Sequence, residues 1–436
     1  MAERRDENMR QLLRTLFDRA VAAAQPAQCV PPHLPPVPDK GRLIVVGAGK
    51  AAAAMALAVE AHYDGLGALD RLEGFVTTRH GYGLQTRRLG VREAGHPVPD
   101  AAGEQASRDT LALAKTATRG DIVLVLMSGG ASALWSAPTA KVTLADKQAL
   151  TRQLLRAGAR IDEMNCVRKH LSLIKGGRLA MAATSGGARI ITCAISDVPR
   201  DDPATIGSGP TVADPTTLAD ARTILARYDI TPPTAIAEAL ANPGNETPKP
   251  GETRLAESEF RLVAAPAQSL EAAARLLRDQ GFAVELLGDS LEGEASDVAK
   301  EHAALASHAH ASGARVAFLS GGELTVTIRG SGRGGPNQEY ALALTEALQG
   351  NPGIWAVAGD TDGTDGGTGA PDDPAGAMVF PDTLERASES HLDPARMLSD
   401  NDSTSFFRSL GDLVETGPTQ TNVNDFRAIL VEGTAS

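Results

Sequence analysis

Leu124-Val125-Leu126-Met127 runs into Ser128-Gly129-Gly130, and far downstream Val316-Ala317-Phe318-Leu319 runs into Ser320-Gly321-Gly322-Glu323. Each is a short continuous apolar run closed by glycine, the pattern of a buried strand. A third edge, Ile44-Val45-Val46-Gly47-Ala48-Gly49-Lys50, adds a cation. Glycines at the end of a strand let backbone N–H groups approach a ligand closely. In open α/β sheets the ligand crevice lies at the C-terminal ends of the strands. Any one of these glycine pairs also fits an ordinary strand-to-helix turn. Three such edges, with the Asp- and Asn-rich clusters described below, point to an enzyme that holds an anion, phosphate above all, between glycine loops.

Outward from these edges, the pattern alternates. Strands are expected at Leu43–Val46, Gly74–Thr78, Arg87–Ala94, Ile122–Met127 and Arg189–Ile195. Helices are expected at 8–24, 50–61, 101–116, 144–157 and 168–183. Such alternation means a parallel sheet with helices on both faces. Pro26–Pro38 is a connector in which a helix cannot continue. The turn-rich stretch Ala241–Gly251 reads as a linker, after which the pattern restarts with strands at Phe260–Ala264, Ala283–Leu287 and Arg315–Leu319. The expected fold class is therefore α/β, as two Rossmann-like three-layer α/β domains. These would span 1–245 and 256–436, with the last helices able to pack back on the first domain.

Composition narrows the function classes. A chain of 436 residues exceeds one hydrophobic core, and 42% apolar residues supply enough for two. The net charge of −12 argues against a general nucleic-acid surface or an anionic membrane, so any anion site must be a local basic pocket. Cys29, Cys166 and Cys193 form no C-x-x-C pair, which suggests reduced thiols and a cytoplasmic protein. No secretory leader and no apolar run of about 18 residues is visible, so no membrane span is expected.

Several constellations carry chemistry. Gly47-Ala48-Gly49-Lys50-Ala51-Ala52 is a loose G-x-G-x-x-A, although the next strand ends in Thr77-Thr78-Arg79-His80 without the supporting acidic residue. Lys50 at a helix start makes electrostatic sense if an anion docks there, and it also fits a solvated surface lysine. Asn165–Arg178 is the densest basic stretch. On a continuous helix, Arg168, Ser172 and Lys175 would share one face able to grip a carboxylate or phosphate. Asp197, just past a strand, could hold Mg²⁺, accept a hydroxyl proton or cap a turn. Gly330–Gly335 opens a helix with Asn337 as its N-cap, offering free N–H groups and Arg333 to phosphates. Gly359–Gly367 places Asp360, Asp362 and Asp365 at positions unlike a calcium loop, whose twelfth position here is Pro371. Magnesium with nucleotide phosphates suits that loop better. No serine nucleophile elbow stands where a hydrolase would need one.

Taken together, Val46–Ala51, Gly95–Asp100, Met127–Leu134, Asn165–Leu179, Ile195–Asp202, Gly207–Thr211, Leu319–Val326, Gly334–Glu339, Gly359–Gly367 and Thr416–Asp425 resemble the glycerate 2-kinase family with a C-terminal MOFRL domain. Relatives also carry the label hydroxypyruvate reductase. The resemblance implies phosphorylation of D-glycerate at its 2-hydroxyl by ATP with Mg²⁺, in a cleft between the two domains. It implies catalytic roles for Lys50 and Asp197, and substrate binding by Ser128, Gly129, Gly130, Arg168 and Lys175. It further implies nucleotide binding by Gly47, Gly49, Ser320, Gly321, Gly322, Glu323, Arg333, Gly335, Asn337, Asp360, Thr364 and Asp365, and metal binding by Asp197 and Asp360. One departure concerns the residue after Gly334-Gly335. The resemblance implies arginine there, Pro336 occupies the place, and Arg333 is expected to supply the charge. The expected partners are small molecules, not nucleic acid or membrane, and the protein is expected to be a monomer or homodimer. An NAD(P)H-dependent hydroxypyruvate reductase is the alternative. A metabolite-binding regulator ranks last, since no DNA-reading module accompanies the basic stretch.

Overall fold

The computed structural model describes residues 2–367 and 372–433; Pro371 lies outside them. The chain forms two compact units, Pro26–Val263 and Ala264–Ser436 together with Met1–Gln25.

In the first unit the strands are β1 (Leu43–Ala48), β2 (Leu72–Arg79), β3 (Gly90–Ala94), β4 (Ile122–Met127), β5 (Arg189–Ile195) and β6 (Ser258–Ala264). They form one sheet in the order β3-β2-β1-β4-β5-β6. The pairs β1–β2, β2–β3, β1–β4 and β4–β5 are parallel. Every residue of β1 and β4 is buried, as central strands covered on both faces require. Ile44, Val46, Val123 and Val125 pack on one face against Leu111, Ala114, Trp135 and Leu179. The strand order reverses between β1 and β4, which makes their carboxyl ends the switch point where a ligand crevice is expected. Ala48, Met127 and Ala194 are in register across β1, β4 and β5. The turns carrying Lys50, Ser128–Gly130 and Asp197 therefore leave the sheet side by side.

The second unit contains β7 (Ala283–Leu291), β8 (Arg315–Gly322), β9 (Ile354–Asp360), β10 (Gly376–Val379), β11 (Leu413–Val414) and β12 (Asp425–Glu432), in the order β11-β10-β9-β12-β8-β7. Among the described residues, β7 and β8 form its one parallel strand pair; β12 runs antiparallel to β8 and β9, and β10 to β9 and β11. The sheet is thus mixed. One face carries Leu319, Trp355, Val357 and Phe426 against the helices Ala2–Ala23 and Pro266–Asp279. The other carries Val316, Phe318, Ile354 and Ile429 against the helices Ala295–Ala311 and Pro336–Leu348. Alternate residues of each strand supply the two faces. Among the described residues no helix is long and apolar enough to cross a membrane.

Three expectations about organisation are corrected. The strand expected to restart the pattern after the linker, β6, completes the first sheet beside β5. The stretch Ala241–Gly251 is not a loose tether. Glu246 meets His170 at 3.0 Å, and Thr247 donates to Asp214 at 3.0 Å, so its polar side chains satisfy buried groups of the first unit. The first helix belongs to the second unit instead of a 1–245 domain, because its apolar stripe (Leu13, Leu16, Phe17, Ala20) is buried in that unit's core.

Candidate functional site

At the switch point of the first unit, the turns after β1 and β4 are sewn together by hydrogen bonds. Ser128 N donates to Ala48 O (3.1 Å) and Lys50 N to Gly129 O (2.8 Å), while Ser128 Oγ accepts from Ala51 N (3.0 Å). Gly49 has φ +141°, and a Cβ there would collide with Ser128 Oγ. The approach of the β4 turn thus accounts for this glycine and for the Ser128 hydroxyl. Gly47 lies inside β1, where a Cβ would strike Leu126, so the G-x-G spacing reflects strand packing. Gly130 has φ +81° and opens the short helix Ala131–Leu134. A Cβ on Gly130 would lie 2.9 Å from the His96 ring and 3.5 Å from Lys50 Cγ, so these three residues converge.

Beside them lies a cavity of about 450 Å³ lined by His96, Gly130, Ser132, Lys147, Arg168 and Lys175, with Pro97, Val98, Pro99 and Leu144 as apolar wall. Four cations, Lys147, Arg152, Arg168 and Lys175, line it in a chain of net charge −12. Burial lowers the pKa of Lys147, Arg168 and Lys175. For Lys147 burial, reinforced by the Arg168 guanidinium, pushes the ammonium down to about 7. Lys175 Nζ donates to Ser132 O (2.8 Å), Ser132 Oγ (2.9 Å) and Gly207 O (3.3 Å). Its three donors are used, so it positions the Ser132 and Gly207 turns instead of standing open to a ligand. Ser132 Oγ also meets Ser208 Oγ at 2.9 Å, and Ser208 sits at φ +60°, a strained backbone of the kind found at functional sites.

Asp197 is half-buried just beyond β5. Arg168 and Lys175 line the same cavity, but not as one helix face. The helix Ile161–His170 ends before Ser172, whose Oγ accepts from Ile174 N and Lys175 N in a turn. Gly176 and Gly177 then take φ +58° and +82°, which no helix continues. The rest of the basic stretch is structural: Lys169 pairs with Asp214 at 3.0 Å, and Arg178 donates to Lys169 O at 2.8 Å.

Sequence reasoning passed over His96, Ser132 and Lys147. A signal for Lys147 existed. In the helix Leu144–Arg156 the buried positions are Lys147, Leu150 and Leu154, so a lysine occupies the apolar stripe.

The second unit's loops are mostly committed to their own architecture. Ser320, Gly321 and Gly322 are part of β8, and a Cβ on Gly322 would collide with Leu291 of β7, so this pair is no open strand-end loop. The N-cap of the helix Pro336–Leu348 is Gly335, not Asn337. Pro336 lacks an N–H, and the Asp365 carboxylate accepts from Asn337 N (3.0 Å) and Gln338 N (2.8 Å). The expected free N–H groups are therefore occupied by a protein carboxylate. Burial pushes Asp365 up to about 6 despite these donors. Asn337 Nδ2 also donates to Asp425 (2.6 Å), which pairs with the buried Arg427. Asp365→Ala is expected to destabilise the protein by about 1–3 kcal/mol, because it strands buried N–H groups and uncaps the helix. Urea unfolding checks this, and an unchanged midpoint would refute the capping role.

Asp360 is half-buried, and its Oδ1 accepts from Asp362 N (2.8 Å). The Thr364 hydroxyl donates to Asp362 Oδ1 (3.0 Å) in a tight turn. Glu323 and Arg333 are exposed, and Arg333 approaches Asp373 at 3.5 Å. Among the described residues no three His, Cys, Asp or Glu side chains group into a metal site.

Residues 12–241 match the model of a domain of unknown function, DUF4147, and residues 316–425 match the MOFRL family. A protein of Agrobacterium vitis with the provisional name hydroxypyruvate reductase is 50% identical, covering 98% of this chain and 95% of its own. A D-glycerate 2-kinase of Thermotoga maritima is 35% identical, covering 96% of this chain and 97% of its own. The crystal structure of a glycerate kinase from Thermotoga maritima superposes with a TM-score of 0.86 at 34% identity, covering 98% of this chain and 100% of that one.

Proposed function

This chain belongs to the glycerate kinase family that carries the MOFRL domain, and from that premise we propose that it transfers the γ-phosphoryl group of ATP to the 2-hydroxyl of D-glycerate, yielding 2-phosphoglycerate and ADP. The observation that carries this reading is the convergence of Lys50, His96 and Gly130 beside a cavity lined by Lys147, Arg168 and Lys175, at the sheet's switch point. Such a pocket suits an anionic substrate in an otherwise acidic protein.

In phosphoryl transfer, positioning and charge neutralisation do most of the catalysis. Arg168 holds the acid's carboxylate with its planar fork. Lys50 stabilises the oxygens of the phosphoryl group in flight. Asp197 receives the proton of the attacking hydroxyl or holds magnesium. Magnesium commonly binds through one or two carboxylates alongside substrate phosphates, and in the first unit Asp197 is the carboxylate proposed for it. When bound, it neutralises charge on the nucleotide phosphates. Glu323, Arg333 and Asp360 are the nucleotide contacts proposed in the second unit, whereas Asn337 and Asp365 hold a helix start.

The test is purified protein with D-glycerate, ATP and Mg²⁺, with ADP measured and the product identified by ³¹P NMR. Metal- and glycerate-dependent ADP release with 2-phosphoglycerate as product is expected. A 3-phosphoglycerate product would overturn the choice of hydroxyl. The reductase name of the Agrobacterium vitis relative supplies the second reading. NADH oxidation by hydroxypyruvate, with ATP left intact, would establish it instead.

A further inference from the structure

Lys147 has no part in the roles assigned above. It is 7% exposed and lines the cavity, and its Nζ has no hydrogen-bond partner. Lys175 on the same cavity differs, since three oxygens of the protein accept its protons. The charged groups acting on Lys147 are mostly of like sign: Arg168 and Arg178 disfavour its ammonium, Lys175 and Lys147 disfavour each other, and Glu104 opposes them; Arg152 and the titratable His96 line the same cavity. A buried ammonium with no hydrogen-bond acceptor and an excess of like charge around it is costly, and a leucine at this place in the helix stripe would avoid the cost. A ligand that brings the missing anion removes it.

We propose that Lys147 is the residue that receives the carboxylate of a small hydroxy acid in this cavity, with Arg168 as its second cationic contact. The apolar wall of Pro97, Val98, Pro99 and Leu144 excludes water around that contact and strengthens it. Identification of the acid as D-glycerate rests on the kinase reading; the seat for a carboxylate does not. Burial holds free Lys147 near a pKa of about 7, against an ordinary 10.5. Between those values the empty protein carries a neutral amine, and a bound carboxylate draws a proton onto it. Binding therefore takes up a proton in that range and weakens as pH rises through it.

Calorimetric titration with D-glycerate at pH 8, without nucleotide and in buffers of different ionisation enthalpy, reads this directly. Wild-type protein is expected to take up a proton on binding. Lys147→Met is expected to raise Kd and the KM for glycerate about 10- to 100-fold, the worth of a charged hydrogen bond, with the KM for ATP little changed. Lys147→Arg recovers part of the affinity without proton uptake, because its guanidinium stays charged. A melting temperature for Lys147→Met at or above wild type shows that the fold is intact. Binding by Lys147→Met within about twofold of wild type, or wild-type binding without proton uptake, overturns the proposal, as does an absence of any wild-type binding. Lys147-dependent glycerate binding in a protein that never consumes ATP upholds the carboxylate seat and rejects the kinase reading.

Discussion

Lys50→Ala is expected to lower kcat about 10²–10³-fold, the usual loss when one donor to a transition-state charge is removed. The backbone here supports a clean result. Lys50 N donates to Gly129 O and Ala51 N to Ser128 Oγ, and neither bond involves the Lys50 side chain. The turn therefore survives truncation to alanine. Lys50 Cγ lies beside Gly130, which lines the cationic cavity together with His96. If Lys50 acts on the transferring group, the loss falls on kcat while the KM for glycerate moves little. Steady-state kinetics, varying ATP and glycerate separately, with a thermal melt as control, decide the point. Near-normal kcat would remove Lys50 from the mechanism. A loss confined to KM would make it a substrate clamp.

Phe17→Ala is expected to cost about 3–5 kcal/mol, the range for a fully buried aromatic residue replaced by alanine. Phe17 is completely buried on the first helix, and its ring meets Phe426 of β12 edge-on at 6.4 Å. The space for it is made by Gly359 of β9, where a Cβ would lie 2.7 Å from the ring. The ring therefore fills the space that Gly359 leaves in the second sheet, and its loss leaves a cavity. The change should appear in the unfolding of the unit containing Trp355 and not in that containing Trp135. Guanidinium unfolding followed by tryptophan fluorescence in a Trp135→Phe background isolates the first of these signals. A shift below about 1 kcal/mol would show that the first helix contributes little to the second unit.

The parts legible in sequence are those whose cause is local. Ile122–Met127 and Arg189–Ile195 are strands with the very bounds their apolar runs imply, because a central strand buried on both faces tolerates nothing else. Lys50, Ser128–Gly130 and Asp197 were identifiable as one group because strands of a parallel sheet all present their carboxyl ends to the same edge. Helices failed where a turn interrupted a good helical pattern, as at Ser172 and Gly176-Gly177, since periodicity does not register a serine that accepts the backbone N–H groups behind it.

By itself, then, the sequence determined an α/β protein with glycine turns and cations gathered at strand ends, since strand burial and turn chemistry act over a few residues. Only the tertiary structure decided that the first helix belongs with the last 173 residues, Ala264–Ser436. The same holds for Asp365, which takes the N–H groups once expected to face phosphate, and for Lys147, which stands unpartnered in a cationic cavity. Each of these depends on which distant surfaces bury one another. A hydrogen-bond donor or a charge acquires its role from what remains to satisfy it after that burial, and no local pattern records what is left over.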